Sequence, residues 1–454
     1  MWLALNVRSE GVIVRTGQIR LFLGGGLEMV ARVTNRSGST ITIETMIDIN
    51  GSMLTAEESI LKAVNEVGAV ATGEALRRFD ADGGPIKVGG VKWYSNHPKE
   101  KFYQTPFGEI GVERRVYQRA EGGQTFCPME MGARTMRNAT PRFAKMVAHK
   151  LAHGTAADVK FDLEQNHGRV ISKLLAQELS AFVSAVVQAK EELWSYSIPK
   201  MSVEISTIGI GIDGTCTLLF GKRWQEAMTG SISLYNNMGE HQHTIFVGTA
   251  IESGNESFFV RMEKEIAHVK QLYPTAHYVG IVDGIKATSD FLRMHVQEQI
   301  VDFHHVTTYL IQAAEAIFER EHESGVAWLA ERSALLKNDL RGAQTILDEL
   351  GAVDSQIWKD ERRKNMLECI QFFKDHSKQM QYARHQAIGM PISSGMIEAA
   401  CLTLIKRRLS KHGMRWKGNG AQMILSLRAL LLTETRWGQF WQKIEQFGVP
   451  ELEN

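Results

Sequence analysis

Cysteine is scarce in this chain, whose 454 residues include four, none of them in a CxxC pair. Zinc ribbons and disulfide frameworks need closely spaced cysteines, so the sequence argues against both. An excess of one charge is also lacking, because 52 basic residues face 51 acidic ones and the net charge is +1. Any surface that binds nucleic acid must therefore be a local patch.

Long hydrophobic runs are absent as well. No stretch approaches the roughly 18 uninterrupted apolar residues of a membrane helix, and the amino terminus lacks the pattern of a signal peptide. Together with unpaired cysteines, these absences predict a cytoplasmic protein without a membrane partner. Hydrophobic residues make up 44% of the chain, and no low-complexity tract is present, so the sequence predicts several folded domains.

The amino-terminal part divides into two predicted regions. Residues 1–85 combine short apolar runs, glycine-rich turns and one helical stretch, and we assign them no role. Residues 86–200 begin with a predicted hairpin over 101–119 and continue as helices, forming a candidate DNA-binding region. Two of these helices flank a polar break with Arg169 and Lys173 after it. That pattern fits a helix-turn-helix reader of DNA, and it fits an ordinary helical hairpin equally well.

Residues 201–322 show the alternation of an α/β layer. Strands are predicted at 206–213, 228–235 and 243–251, followed by a helix, a strand at 277–283 and a short strand at 299–303. Three strands in a meander, a helix and a buried fourth strand predict the opening half of a ribonuclease-H-like α/β layer, which the short strand could extend. Residues 323–390 are charged and helical, which predicts an all-α insertion, and residues 391–454 supply a closing helix, a basic segment and a C-terminal helix.

Three carboxylates fall at defined places in this frame. Asp213 and Asp283 each end a predicted strand and precede glycine, and Glu398 lies in the first turn of the closing helix. Cleavage of a phosphodiester with two divalent ions requires converging carboxylates, and Mg²⁺ prefers oxygen ligands. Taken singly, Asp-Gly is a common turn signal and Glu398 fits a helix-capping role. Their order on strand, strand and helix favours a catalytic site.

A basic segment follows Glu398 on the same predicted helix. It contains six cations and one tryptophan, predicted to bind DNA: Lys406, Arg407, Arg408, Lys411, Arg415, Trp416 and Lys417. Cations beside an acidic centre would hold phosphates that the carboxylates repel. A solvated basic face and a core tryptophan are the alternatives. His304 and His305 are candidate auxiliary residues, although they fit a packed strand end equally well.

Several segments together resemble a known family. They are YQTPFGEIGVERRVYQR (103–119), IGIDGT (210–215), YVGIVDG (278–284), VDFHHV (301–306) and the long stretch from GMPISSGMIEAACLTLIKRR to LRALLLT (389–433). The chain from about residue 101 to its end resembles bacterial insertion-sequence transposases of the DDE class, most closely the IS-Kra family.

The resemblance implies a ribonuclease-H-like core interrupted by an all-α insertion, with mixed and helical N-terminal regions. It implies that Asp213, Asp283 and Glu398 are the catalytic and metal-binding acids, with two Mg²⁺ ions for which Mn²⁺ can substitute. Terminal inverted repeats and target DNA would be the partners of a homo-oligomer, at least a dimer, at the bacterial nucleoid. A structure-selective nuclease or resolvase and an inactive, transposase-derived DNA-binding protein are the alternatives.

Overall fold

The computed structural model describes residues 31–191, 193–218, 224–250, 256–283, 285–318, 323–353, 360–392, 400–410 and 416–450. The chain is mixed α/β and divides into two compact units. The first contains the chain up to Ala148, Thr155–Phe182 and Phe447–Val449, and the second contains His149–Gly154 and Val183–Gln446. The strands and turns predicted before residue 31 lie outside the described residues.

The first unit is built from short strands and helices. Its elements are β1 (Arg32–Ser37), β2 (Thr40–Glu44), α1 (Met53–Arg77), β3 (Ile86–Val88), β4 (Val91–Ser95), β5 (Lys99–Gln104), β6 (Glu109–Arg114), β7 (Tyr117–Gln118), β8 (Thr125–Phe126), α2 (Pro128–Gly132), most of α3 (Pro141–His153), α4 (Ala156–His167) and the first half of α5 (Lys173–Glu191). Strands β5 and β6 form the predicted hairpin, turning where Thr105 N–H donates to the Gly108 carbonyl at 2.9 Å. The ring of Phe107 at this turn lies against Gly68 of α1, where a Cβ atom would be only 2.4 Å from the ring.

The helical pair α4 and α5 is present, but one residue predicted to read DNA is placed in the interior. Helix α4 ends at Gly168, which adopts the left-handed conformation with φ 60°. Arg169 follows it and is buried, donating from Nε to the Thr105 carbonyl at 3.1 Å and from a terminal nitrogen to Gln104 Oε1 at 2.8 Å. Arg169 therefore anchors the β5–β6 hairpin, and of the two cations Arg169 and Lys173 only Lys173 is exposed.

The second unit contains a five-stranded sheet. Its strands are β9 (Ile205–Leu218), β10 (Trp224–Asn236), β11 (His241–Ala250), β12 (His277–Val282) and β13 (Glu298–Val301), in the order β11-β10-β9-β12-β13. The first three are antiparallel neighbours, whereas β12 runs parallel to β9 and β13 parallel to β12. The predicted strands are present, with two corrections. The short strand predicted over 299–303 ends at Val301, and Phe303 already begins a helix. β9 does not end at Asp213, because residues 214–218 continue the ladder with β10.

The two faces of this sheet differ because β9 alternates isoleucine with small residues. One face buries Ile208, Ile210 and Ile212 against helix α6 (Glu256–Leu272), which contributes Phe258, Met262 and Ile266. The opposite face carries small residues on β9 and β10: Thr207, Gly209, Gly211, Asp213, Thr229, Ser231 and Ser233. Small side chains let other segments approach closely, and Pro391 lies 3.4 Å from where a Cβ would stand at Gly209.

The remaining elements are helical. They are α7 (Lys286–Arg293), α8 (Phe303–Phe318), α9 (Glu323–Asn338), α10 (Gly342–Ala352), α11 (Asp360–His376), a 3-10 turn (Ser377–Gln379), α12 (Tyr382–Ala387), a π-helical turn (Cys401–Lys406) continued by Arg407–Leu409, and two C-terminal helices (Gly418–Leu432 and Arg436–Phe447). The helical prediction for residues 323–390 is confirmed wherever the chain is described. Among the described residues, no helix combines the length and apolar character needed to cross a membrane.

Candidate carboxylate site

Asp213 and Asp283 lie at the same level of two adjacent strands. β9 and β12 are parallel, with Gly211 paired to Ile281, and each aspartate stands two residues beyond its member of that pair. Both side chains are half-buried. Side chains at matched positions of neighbouring strands project from one face, and the charge of Asp283 acts on the pKa of Asp213. The sheet thus brings together the two acids that the sequence predicts as a pair.

The electrostatics of Asp213 are set by burial and by four neighbours. Burial raises the pKa of Asp213 above its ordinary value, and the like charge of Asp283 raises it further. A hydrogen bond from the thiol of Cys401, the backbone N–H of Gly214 and the positive charge of Lys406 act in the opposite direction. A carboxylate whose ionised form is disfavoured by burial and by a second carboxylate gains stability from a bound cation.

The contact between Cys401 and Asp213 was not foreseen from the sequence. Cys401 Sγ donates to Asp213 Oδ2 at 3.0 Å, and the cysteine is only 2% exposed. Burial and the adjacent Asp213 carboxylate raise the pKa of this thiol to about 12, so the donor keeps its proton. The hydroxyls of Thr215 and Thr229 also lie beside the sulfur. The pairing of β9 with β10 places Thr229 opposite Asp213, which brings the Thr229 hydroxyl to this site.

Glu398, the third predicted acid, lies outside the described residues, but the chain on both sides of it is placed near the aspartates. Before it, the Ile392 carbonyl accepts from the N–H of Phe303 at 3.1 Å, at the carboxyl end of the sheet. Further back along the chain, Gly389 lies against the backbone of Gly239, at the end of β9 opposite to Asp213, where a Cβ atom on Gly239 would stand 2.8 Å from the Gly389 carbonyl oxygen. After it, Cys401 contacts Asp213.

The two described aspartates fit a hard divalent cation. Mg²⁺ keeps several waters and is usually bound through one or two carboxylates together with substrate phosphates. Asp213 and Asp283 offer such oxygen ligands from one face of the sheet, and neither is fully buried. Among the residues that the structure describes, no group of three or more His, Cys, Asp and Glu side chains is arranged to hold a metal, and Glu398 is not among them.

The basic segment divides into exposed and buried cations. Lys406, Arg407 and Lys417 are exposed, whereas Arg408 is 3% exposed and donates to the Leu151 carbonyl at 3.4 Å. The Arg408 guanidinium also lies 4.7 Å from the ring centre of the half-buried Trp416. Burial removes Arg408 from the phosphate-binding candidates. Lys411 and Arg415 lie outside the described residues.

The histidines of the candidate auxiliary pair begin helix α8. The carboxylate of Asp302 caps this helix, accepting from the N–H of His304 at 3.3 Å and from that of His305 at 3.1 Å. The His305 ring packs edge-on against Tyr309, and the His304 ring against Phe303. These contacts fit the packed strand end that the sequence left open as the alternative.

Comparison with models of known protein families finds none that matches this chain, and comparison with curated proteins finds no match either. The resemblance to DDE transposases therefore stays a prediction.

Proposed function

We propose that the protein is a DDE-class transposase that nicks DNA at the ends of an insertion sequence and joins those ends to target DNA. The observation that carries this proposal is the placement of Asp213 and Asp283 at one level of adjacent parallel strands, with the positive charge of Lys406 acting on Asp213. Two converging carboxylates flanked by a cation suit chemistry at a phosphodiester, whose anionic backbone the acids alone would repel.

The strand order supports a ribonuclease-H-like core. Three antiparallel strands in a meander are followed by two strands parallel to the first, with β9 at the centre of the order β11-β10-β9-β12-β13. This is the arrangement that the resemblance implies, with helices α9–α12 in the place of its all-α insertion. We propose both that this sheet is a ribonuclease-H-like core and that the chain is a transposase.

Glu398 completes the proposed triad. It precedes Cys401 by three residues, and consecutive Cα atoms are about 3.8 Å apart, so their Cα atoms are separated by at most about 11 Å. Cys401 itself contacts Asp213. This separation is compatible with Glu398 as the third ligand beside the aspartates.

Each group in the proposed site has a distinct task. Two bound Mg²⁺ ions would activate the attacking oxygen and stabilise the leaving one. Asp213, Asp283 and Glu398 would hold these ions, and Mn²⁺ would replace them. Lys406, Arg407 and Lys417 are exposed cations that would hold phosphates of double-stranded DNA. Bringing two element ends together would require at least a dimer.

The test must distinguish the joining of element ends to target DNA from the cleavage of DNA alone. A labelled duplex with the inverted repeats that flank the gene is incubated with Mg²⁺ and a supercoiled target plasmid, beside a four-way junction as a control substrate. A transposase nicks the repeat ends and joins them to the plasmid. Cutting of the junction without joining would favour the structure-selective nuclease, and binding without any cutting would favour the inactive derivative.

A further inference from the structure

The thiol of Cys401 lies in surroundings that are unusual for a buried cysteine. A free, buried cysteine ordinarily packs as a small hydrophobic side chain. Cys401 instead contacts the Asp213 carboxylate at 3.0 Å, and the hydroxyls of Thr215 and Thr229 adjoin its sulfur. Cys369 shows the ordinary case, since it is fully buried within the apolar cluster that α11 shares with the sheet.

Thr229 supplies a second, independent observation. It is fully buried and stands directly opposite Asp213 in the β9–β10 ladder. Its Oγ1 atom makes no well-aligned hydrogen bond to any residue in the described part of the chain. A buried hydroxyl without a partner is destabilising unless it gains one. The thiol proton of Cys401 thus has two acceptors beside it, Asp213 Oδ2 and Thr229 Oγ1.

The π-helical turn explains why two residues of one helix both act on Asp213. Cys401 and Lys406 are the first and last residues of this turn and are five positions apart. In a π-helix the backbone hydrogen bonds join residues i and i+5, so these two positions lie on adjacent turns and near the same side of the helix. In an α-helix, five residues correspond to a rotation of about 500°, which would place the two side chains on different faces. The Cys401 thiol and the Lys406 charge thus both reach the same carboxylate.

We infer that Cys401 is a positioning residue that orients the Asp213 carboxylate for a divalent cation. This inference rests on the proposed function, because it gives Asp213 a metal to hold. In the metal-free protein the thiol fixes Asp213 Oδ2 by its hydrogen bond, which prevents the carboxylate from rotating away from Asp283. If that oxygen held a cation, the thiol could turn its proton to the adjoining hydroxyl of Thr229, and Cys401 would stay satisfied.

The experiment measures Mn²⁺ binding to the full-length, DNA-free protein by electron paramagnetic resonance of the free ion. Cys401→Ala removes the donor and Cys401→Ser keeps it, while Cys369→Ala is the matched buried control. Loss of an outer-shell partner weakens metal affinity about 10- to 100-fold, so we expect at least about tenfold weaker binding for Cys401→Ala. Cys401→Ser and Cys369→Ala should bind nearly as the wild type does. Urea unfolding verifies that each variant is folded, and if Cys401→Ala is not, Cys401→Val, which also lacks the donor but fills more of the space, replaces it in the comparison.

Two results would overturn the inference while leaving the proposed function intact. The first is wild-type affinity in Cys401→Ala when Asp213→Asn has lost the ion. The second is equal weakening in Cys401→Ser and Cys401→Ala, which would assign the effect to packing. If the wild-type protein binds no Mn²⁺ through Asp213, the inference and the proposed metal chemistry fail together.

Discussion

Replacing Arg408 with alanine is expected to destabilise the fold rather than to weaken DNA binding directly. The Arg408 side chain is buried, donates to the Leu151 carbonyl at 3.4 Å and lies 4.7 Å from the ring centre of Trp416. A desolvated cation–π contact contributes about 2 kcal/mol. A hydrogen bond from a charged donor contributes about 1.5 kcal/mol at the lower end of its range, which suits the long distance here. The expected loss in the free energy of unfolding is therefore about 3.5 kcal/mol.

The matched control is Arg407→Ala, one residue earlier and exposed. Urea unfolding should show a change within about 0.5 kcal/mol for this variant, because surface substitutions rarely cost more. Fluorescence anisotropy with a labelled duplex should show weaker binding for Arg407→Ala, with a salt slope reduced by about one. If Arg408→Ala keeps wild-type stability and Arg407→Ala loses it, the division of the basic segment into buried and exposed cations is wrong.

Three further predictions concern other parts of the second unit. Arg436 is 7% exposed and pairs with the half-buried Glu265 through two contacts of 2.8 and 2.6 Å, so Arg436→Ala should cost about 3 kcal/mol in urea unfolding, at the lower end of the range for breaking a buried pair, by leaving that carboxylate without its partner. An unchanged unfolding midpoint would refute this. Gly389 has φ 71° and adjoins the Gly239 backbone, so Gly389→Ala should shift the segment that leads to Glu398 and lower the nicking rate, with little change in duplex affinity. Wild-type nicking by this variant would count against that placement. Because burial raises the folded-state pKa of Asp213, its ionisation opposes folding increasingly as the pH rises from the ordinary aspartate value through the raised one. Asp213→Asn should accordingly raise the melting temperature of the metal-free protein at about pH 7 and change it little at about pH 3. Equal melting temperatures at both pH values would contradict this reasoning.

The arrangement of the sheet was accessible from the sequence because its strands have strong patterns. The alternation of isoleucine with glycine in β9 and the apolar run of β12 predicted both strands, and the two aspartates stood at their expected levels. The pattern placed each aspartate at the end of a predicted strand. That the two strands are adjacent and parallel, with the aspartates at one level, is shown by the structure.

Other features depended on tertiary contacts that local pattern does not encode. Asp213-Gly214 was read as the end of a strand, yet β9 continues because β10 supplies a pairing partner as far as Trp224. Arg408 was grouped with its neighbours by charge, although it follows Leu404 by four residues and so lies on the apolar face of the helix. The helical spacing between Leu404 and Arg408 was the signal in the sequence that could have predicted the burial of Arg408. No local pattern in the sequence predicted the contact between Cys401 and Asp213, because it depends on the π-helical turn that begins at Cys401.

The most direct test of the three-acid site is Mg²⁺-dependent nicking of a labelled duplex that carries the flanking inverted repeats. Wild type is compared with Asp213→Asn, Asp283→Asn and Glu398→Gln, and duplex affinity is measured for each. We predict that wild type nicks at the repeat end and that all three variants lose nicking while they retain binding. Nicking at the wild-type rate by Glu398→Gln, or by either aspartate variant, would contradict the account.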